Sequence, residues 1–157
     1  MSAGNQSRQK VKEPLSPVVE GEWQRLWYQL QGTQWYSLAL VPTDASINVT
    51  RVAEALVAVG RRHGNSSMTL LSGIGVRPND VQSLLSAVRE ASVRHGALVV
   101  ACDGLQVNAA ALPLARACTG VLLVVRLGES RLDSARKTVE SIGRNRIIAS
   151  ITLGPKS

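Results

Sequence analysis

The chain has 157 residues, 45% of them hydrophobic and 18% charged, with a formal net charge of +7. That length suits one domain able to bury a proper core, and the apolar fraction excludes wholesale disorder. No apolar run approaches the roughly 18 residues that a bilayer span needs, and the polar residues 1–12 lack the apolar region of a secretory signal. A cytoplasmic protein is therefore expected, reaching a membrane only through a partner, and the sequons at Asn48 and Asn65 would be idle. The positive charge favours an acidic partner, nucleic acid or an anionic surface, with a solvated basic face as the plainer account. Aromatic residues make up only 3% and Phe is absent. The core must then come from Val, Leu, Ile and Ala, as in parallel α/β sheets. Cys102 and Cys118 lie in apolar surroundings and read as buried free thiols.

Residues 1–17, rich in Ser, Gln, Lys and Pro, read as a flexible tail before a single domain over 18–157. A helix is expected over 18–31, with Val19, Trp23, Leu26, Trp27 and Leu30 near one face and Gly32 as its stop. Trp23 and Trp27 fall on the same side, either as core or as an interface anchor. A first strand over 35–41 leads to a helix over 49–63, whose small Ala53, Ala55 and Ala58 permit close approach to a sheet. Gly64-Asn65 ends that helix. A short strand follows at 68–71, then a loop marked by Gly73, Gly75 and Pro78. Asn79 or Asp80 caps a helix running to about residue 95. The continuous apolar run 97–102 has the character of a strand buried on both faces. Beyond the loop at 103–104 come a helix over about 107–118 and a strand over 120–125. A helix from Ser130 or Asp133 to residue 142 and a last strand over 146–153 complete the chain. Strands and helices alternating at this spacing predict a five-stranded, mainly parallel sheet in a three-layer α/β/α domain.

Catalytic constellations are scarce. There is no serine elbow, no metal-spaced His/Cys cluster and no paired carboxylate motif. His63 and His95 each precede a glycine at a helix end, where an imidazolium complements the helix dipole. Asp44 and Asp103 follow strands, on the rim where open α/β sheets bind ligands, although aspartates also stabilise turns. Gly73-x-Gly75 looks like half a dinucleotide fingerprint, but Pro78 occupies the third glycine position. Arg126, Arg131, Arg136, Lys137, Arg144 and Arg146 concentrate charge in the C-terminal third. No aromatics interleave them, so a solvated or partner-facing surface is a better account than nucleic-acid binding.

The most informative stretch runs from residue 37 to residue 56. The apolar SLALVP enters a short polar loop, TDASIN, and a small-residue helix beginning VTRVAEAL leaves it. This is the strand–loop–helix frame of a P-loop. A working P-loop needs glycines for close backbone approach, a lysine for the β/γ oxygens and a Ser/Thr for magnesium. Here the loop has no glycine, Val49 stands where the lysine would, and only Thr50 retains the right type. The frame is present and its chemistry is missing.

In its order of parts the chain resembles the cytoplasmic domains of bacterial tyrosine kinases, the polysaccharide co-polymerase kinases, within the wider MinD/ParA-like P-loop ATPases. The resemblance covers most of the chain from Ser16 onward. SPVVEGEWQRL at 16–26 is similar to the helix bearing the kinases' E-x-x-R-x-x-R oligomerisation motif. Glu22 and Arg25 match its first two positions, and Tyr28 replaces the second arginine. The 37–56 frame matches the Walker A strand, loop and helix, with Asn48 for the last glycine, Val49 for the lysine and Thr50 for the magnesium-binding hydroxyl. The second Walker motif falls at 99–102 with Ala101 in the aspartate's place, or in another register with Asp103 there. Ser72 stands where the family has a further acidic motif. GVLLVVRLGESRL at 120–132, continuing to IASI at 148–151, is similar to the family's C-terminal strand–loop–helix–strand. The kinases' terminal tyrosine cluster has no counterpart.

The resemblance implies a catalytically inactive pseudo-ATPase or pseudokinase, without cofactor. It would be a scaffold or regulatory subunit in bacterial exopolysaccharide synthesis or export. Its partners would be further copies of itself and a polysaccharide-assembly membrane protein, met through Glu22, Trp23, Arg25, Trp27 and Tyr28. Two rivals are an unusual kinase or ATPase working through Asp44, Thr50 and Asp103, and a ParA-like DNA binder using the basic C-terminal surface. The first would need a lysine from among Lys10, Lys12, Lys137 and Lys156.

Overall fold

The computed structural model describes residues 20–65, 67–95, 97–128 and 132–154. The expected tail, Val19, Ser130 and Arg131 lie outside those residues, as do the side chains of Glu22 and His95. Five strands, β1 (Ser37–Pro42), β2 (Thr69–Ser72), β3 (Leu98–Ala101), β4 (Gly120–Arg126) and β5 (Ile147–Leu153), form one sheet. All neighbours pair in parallel, in the order β2-β3-β1-β4-β5. The helices are α1 (Glu20–Gln31), α2 (Val49–Arg62), α3 (Val81–His95), α4 (Ala111–Ala117) and α5 (Leu132–Ile142).

Strand β1 is buried throughout its length, and side chains alternate across the sheet. Leu38 and Leu40 join Val99, Leu122 and Val124 in a layer under α1 and α2. Ala39 and Val41 join Val100, Val121 and Leu123 under α3, α4 and α5. Right-handed crossovers dictate this division, because the step from β1 out to β2 and the steps back across the sheet place their helices on opposite faces. Trp23 and Trp27 are 6% and 1% exposed and belong to the first layer. Of the two roles open to them, the structure therefore places both in the core of the monomer. A Cβ built on Gly60 would press on Met68 Sδ and lie 3.0 Å from the Trp27 ring, so a larger residue there would make both side chains give way.

Helix α4 departs most from its expected bounds, beginning at Ala111 instead of near 107. Pro113 explains the difference. A start at 107 would put the proline where its missing N–H breaks a helical hydrogen bond, whereas a start at Ala111 keeps it within the first turn. Residues 105–110 are built from turns instead, with Val107 and Asn108 both donating to the Gly104 carbonyl. His63 is the C-cap residue of α2, and the following Gly64 takes φ 104°, a conformation natural to glycine.

Candidate functional site

The loops after β1 and β3 leave adjacent strands toward opposite faces of the sheet, which opens a crevice at the carboxyl ends of the strands. A cleft of about 190 Å³ occupies it. Asp44, Asn48, Val49, Thr50 and Asp103 all line this cleft, beside Ile74 and Cys102. The topology thus brings Asp103 beside Asp44 and Thr50, 59 and 53 residues away in sequence. Ala101 is different: it ends β3, is fully buried, belongs to the layer under α1 and α2, and gives its carbonyl to the Gly73 N–H at 2.7 Å. Of the two registers open for an acid at this strand end, the residue at the cleft is Asp103.

The β1–α2 loop turns its polar groups on itself. Asp44 Oδ1 accepts from the Ser46 N–H at 2.8 Å, the Ile47 N–H donates to the Asp44 carbonyl, and Asn48 Oδ1 caps α2 by accepting from the Arg51 N–H at 3.4 Å. Asn48 is thus a helix cap of the ordinary kind. Among the described residues only Gly64, Gly75, Gly128 and Gly143 have positive φ. The loop therefore lacks the alternation of right- and left-handed residues that makes a backbone nest for phosphate. Val49 is 4% exposed and packs into the core, where a phosphate-binding lysine would have to project outward.

Asp103 is engaged as well. Its Oδ2 accepts from the Gly75 N–H at 2.8 Å and from Asn108 Nδ2 at 3.0 Å, and the same amide nitrogen donates to the Val76 carbonyl. These bonds tie the loop after β2 to the loop after β3 across the mouth of the crevice. Sequence reasoning did not single out Asn108. Its only signal was its place five residues beyond Asp103 in a polar turn. Replacing Asp103 with alanine removes a charged acceptor from two donors, which costs about 1–3 kcal/mol. The expected signature in native-state hydrogen exchange is faster exchange of the Gly75 amide with β1 unchanged. An unaltered Gly75 rate would show that the tie does not hold the loop.

No lysine or arginine lines the cleft among the described residues. Cys102 does line it, yet it is buried, and burial pushes its thiol well up, with Cys118 and Asp103 adding to the effect. It is no poised nucleophile, since the thiolate is the reactive form. Among the described residues no group of three His, Cys, Asp or Glu could hold a metal ion. The donor set does not fit a magnesium nucleotide. Two carboxylates line the space, no cation among the described residues answers a phosphate, and the Ser46 and Ile47 amides of the loop are satisfied within it.

No protein-family profile matches the sequence, and neither does any curated protein. Solved structures do match. The chimerical protein CapA2B2 superposes with a TM-score of 0.71 at 11% sequence identity, over 95% of this chain and 89% of that one. The BceF tyrosine kinase domain superposes with a TM-score of 0.66 at 8% identity, over 85% of this chain and 74% of that one. The expected three-layer architecture is observed, with a sheet that is wholly parallel. Among the described residues no helix is long and apolar enough to cross a membrane. At these identities the likeness rests on architecture: this chain has the fold of the BceF tyrosine kinase domain and of CapA2B2.

Proposed function

We propose that the chain is a catalytically silent relative of the bacterial tyrosine kinases. On this reading it acts as a scaffold or regulatory subunit in bacterial surface-polysaccharide synthesis or export. One observation carries it: the cleft at the nucleotide position of this fold is lined by Asp44 and Asp103 and by no cation among the described residues. Phosphoryl transfer depends on neutralising charge as it develops on the transferred group. The described lining of this cleft supplies no cation to do that.

The rival enzyme reading has its own support, since Asp44, Thr50 and Asp103 do share one cleft. Calorimetric titration with ATP and ADP, with and without magnesium, separates the two. The expected result is no binding heat in either condition. Micromolar binding that Asp103→Ala abolishes would overturn the proposal and restore a nucleotide-dependent activity. As a scaffold the protein needs contact surfaces. Among the residues of α1 turned to solvent are Arg25 and Tyr28, the latter 61% exposed with its ring edge-on to His63 at 5.6 Å.

A further inference from the structure

The amino ends of the strands carry a second hollow, and its charge has the other sign. A groove of about 510 Å³ is lined by Tyr36, Val88, Arg89, Val93, Ala117 and Thr119, where α3 passes the start of β1 and the end of α4. Two of its apolar residues are left in water: Val93 is 88% and Tyr36 56% exposed, while Val88 is buried. A shallower hollow on the flank of α3 shares Arg89 and Val93 with it and adds Ser86 and Glu90. Arg89 lines the groove itself, and further arginines are close to its lining in the chain. Exposed Arg116 directly precedes the lining residue Ala117, and Arg146 Nη1 donates to the Arg116 carbonyl at 2.9 Å. Arg144 stands exposed two residues before Arg146. Glu90 is the one acid among the residues lining the two hollows. A cation in the last turn of α4 also complements the helix dipole, which accounts for Arg116. It does not account for Val93 and Tyr36 left exposed beside Arg89.

We propose that this groove docks a segment of a partner protein in which acidic residues flank one or two large apolar side chains. The apolar seat formed by Val93 and Tyr36 takes the apolar anchor, and Arg89 and Arg116 take the flanking carboxylates. Charge selects this occupant over the others. A second copy docked about a twofold axis would set these arginines against their own counterparts. The chain's own first 19 residues carry Arg8, Lys10 and Lys12 against Glu13, again the wrong sign. Nucleic acid would use the arginines on its phosphates but gains nothing from the aliphatic Val93. The inference is independent of whether the cleft at the other end of the sheet binds nucleotide.

The test is selection of displayed random peptides on the full chain, followed by binding of the enriched peptides to Arg89→Glu and Val93→Asp. Both side chains are exposed, and thermal melts monitored by circular dichroism establish that each variant is folded. The expected result is a consensus of acidic residues around an aromatic or aliphatic anchor, with affinity falling about tenfold or more in each variant. No enrichment, a consensus without acids, or full binding to both variants overturns the proposal. So does the outcome in which only phosphatidylglycerol vesicles or a short DNA duplex bind and Arg89→Glu releases them. That result would identify a general anionic surface instead.

Discussion

Trp27→Ala is expected to lower the unfolding free energy by about 3–5 kcal/mol, the range for truncating a large buried aromatic. That is a large share of the roughly 5–15 kcal/mol that holds a domain folded, so the variant should be near its melting point at growth temperature. The site cannot collapse around the loss. Trp27 is 1% exposed, and its ring fills the space that Gly60 leaves open on α2 beside Met68. Removing it strips α1 of its main anchor and uncovers the backbone at Gly60. Urea denaturation measures the effect, with Arg25→Glu on the exposed side of the same helix as the comparison. A surface substitution of that kind should stay within about 0.5 kcal/mol. A loss below about 1 kcal/mol for Trp27→Ala would mean that α1 is not part of the cooperative core. A change of oligomeric state in Trp27→Ala would then report damage to the fold, so self-association through α1 is better examined at Arg25 and Tyr28.

The second large effect concerns the two thiols. Both cysteines are free and buried, in the layer under α3, α4 and α5. Burial pushes the Cys118 thiol up to about 12, its hydrogen bond with Ser37 acting the other way, and it pushes Cys102 up more strongly still. At pH 8 the thiolate population of Cys118 then falls about 10³-fold below that of an ordinary cysteine. Alkylation of the folded protein should be slower by at least that factor and should proceed through unfolding. Rapid labelling of either thiol under native conditions would contradict the burial.

The same burial ties stability to alkaline pH. The folded state holds the proton more tightly than the unfolded one, so the stabilisation is present in full below the ordinary thiol value of 9.0. It is lost as pH rises toward about 12, because the unfolded chain releases protons that the folded chain keeps. The slope is about 1.4 kcal/mol per pH unit for each thiol. Lysine and tyrosine also titrate there, and the difference between wild type and Cys118→Ala isolates the thiol's part. Denaturation midpoints that fall equally with pH in both proteins would show that Cys118 does not contribute.

Much of this architecture was legible in the chain itself. The alternation of apolar runs with small-residue amphipathic stretches fixes the number and order of strands, because a strand buried on both faces has no polar positions to spare. Strand β1 is the plainest case: all six of its residues are buried. The absence of glycine and lysine from residues 43–49 was equally legible, since the residue types that a phosphate site requires are few. Cys102 and Cys118 announced their burial through their neighbours.

Tertiary structure decided the rest. Periodicity places Trp23 and Trp27 on one side of a helix but does not say what that side meets; packing against Gly60 and Met68 turns it inward. Whether Ala101 or Asp103 reaches the crevice depends on where β3 ends, a matter of one or two residues that pairing with β1 and β2 settles. The tie from Asp103 to Gly75 and Asn108 joins loops that only the crossovers bring together. The groove at Arg89 draws on the start of β1, α3 and α4 with Arg146 beside them, stretches separated by up to 110 residues. No linear pattern marks it, because its parts share an end of the sheet and nothing in sequence.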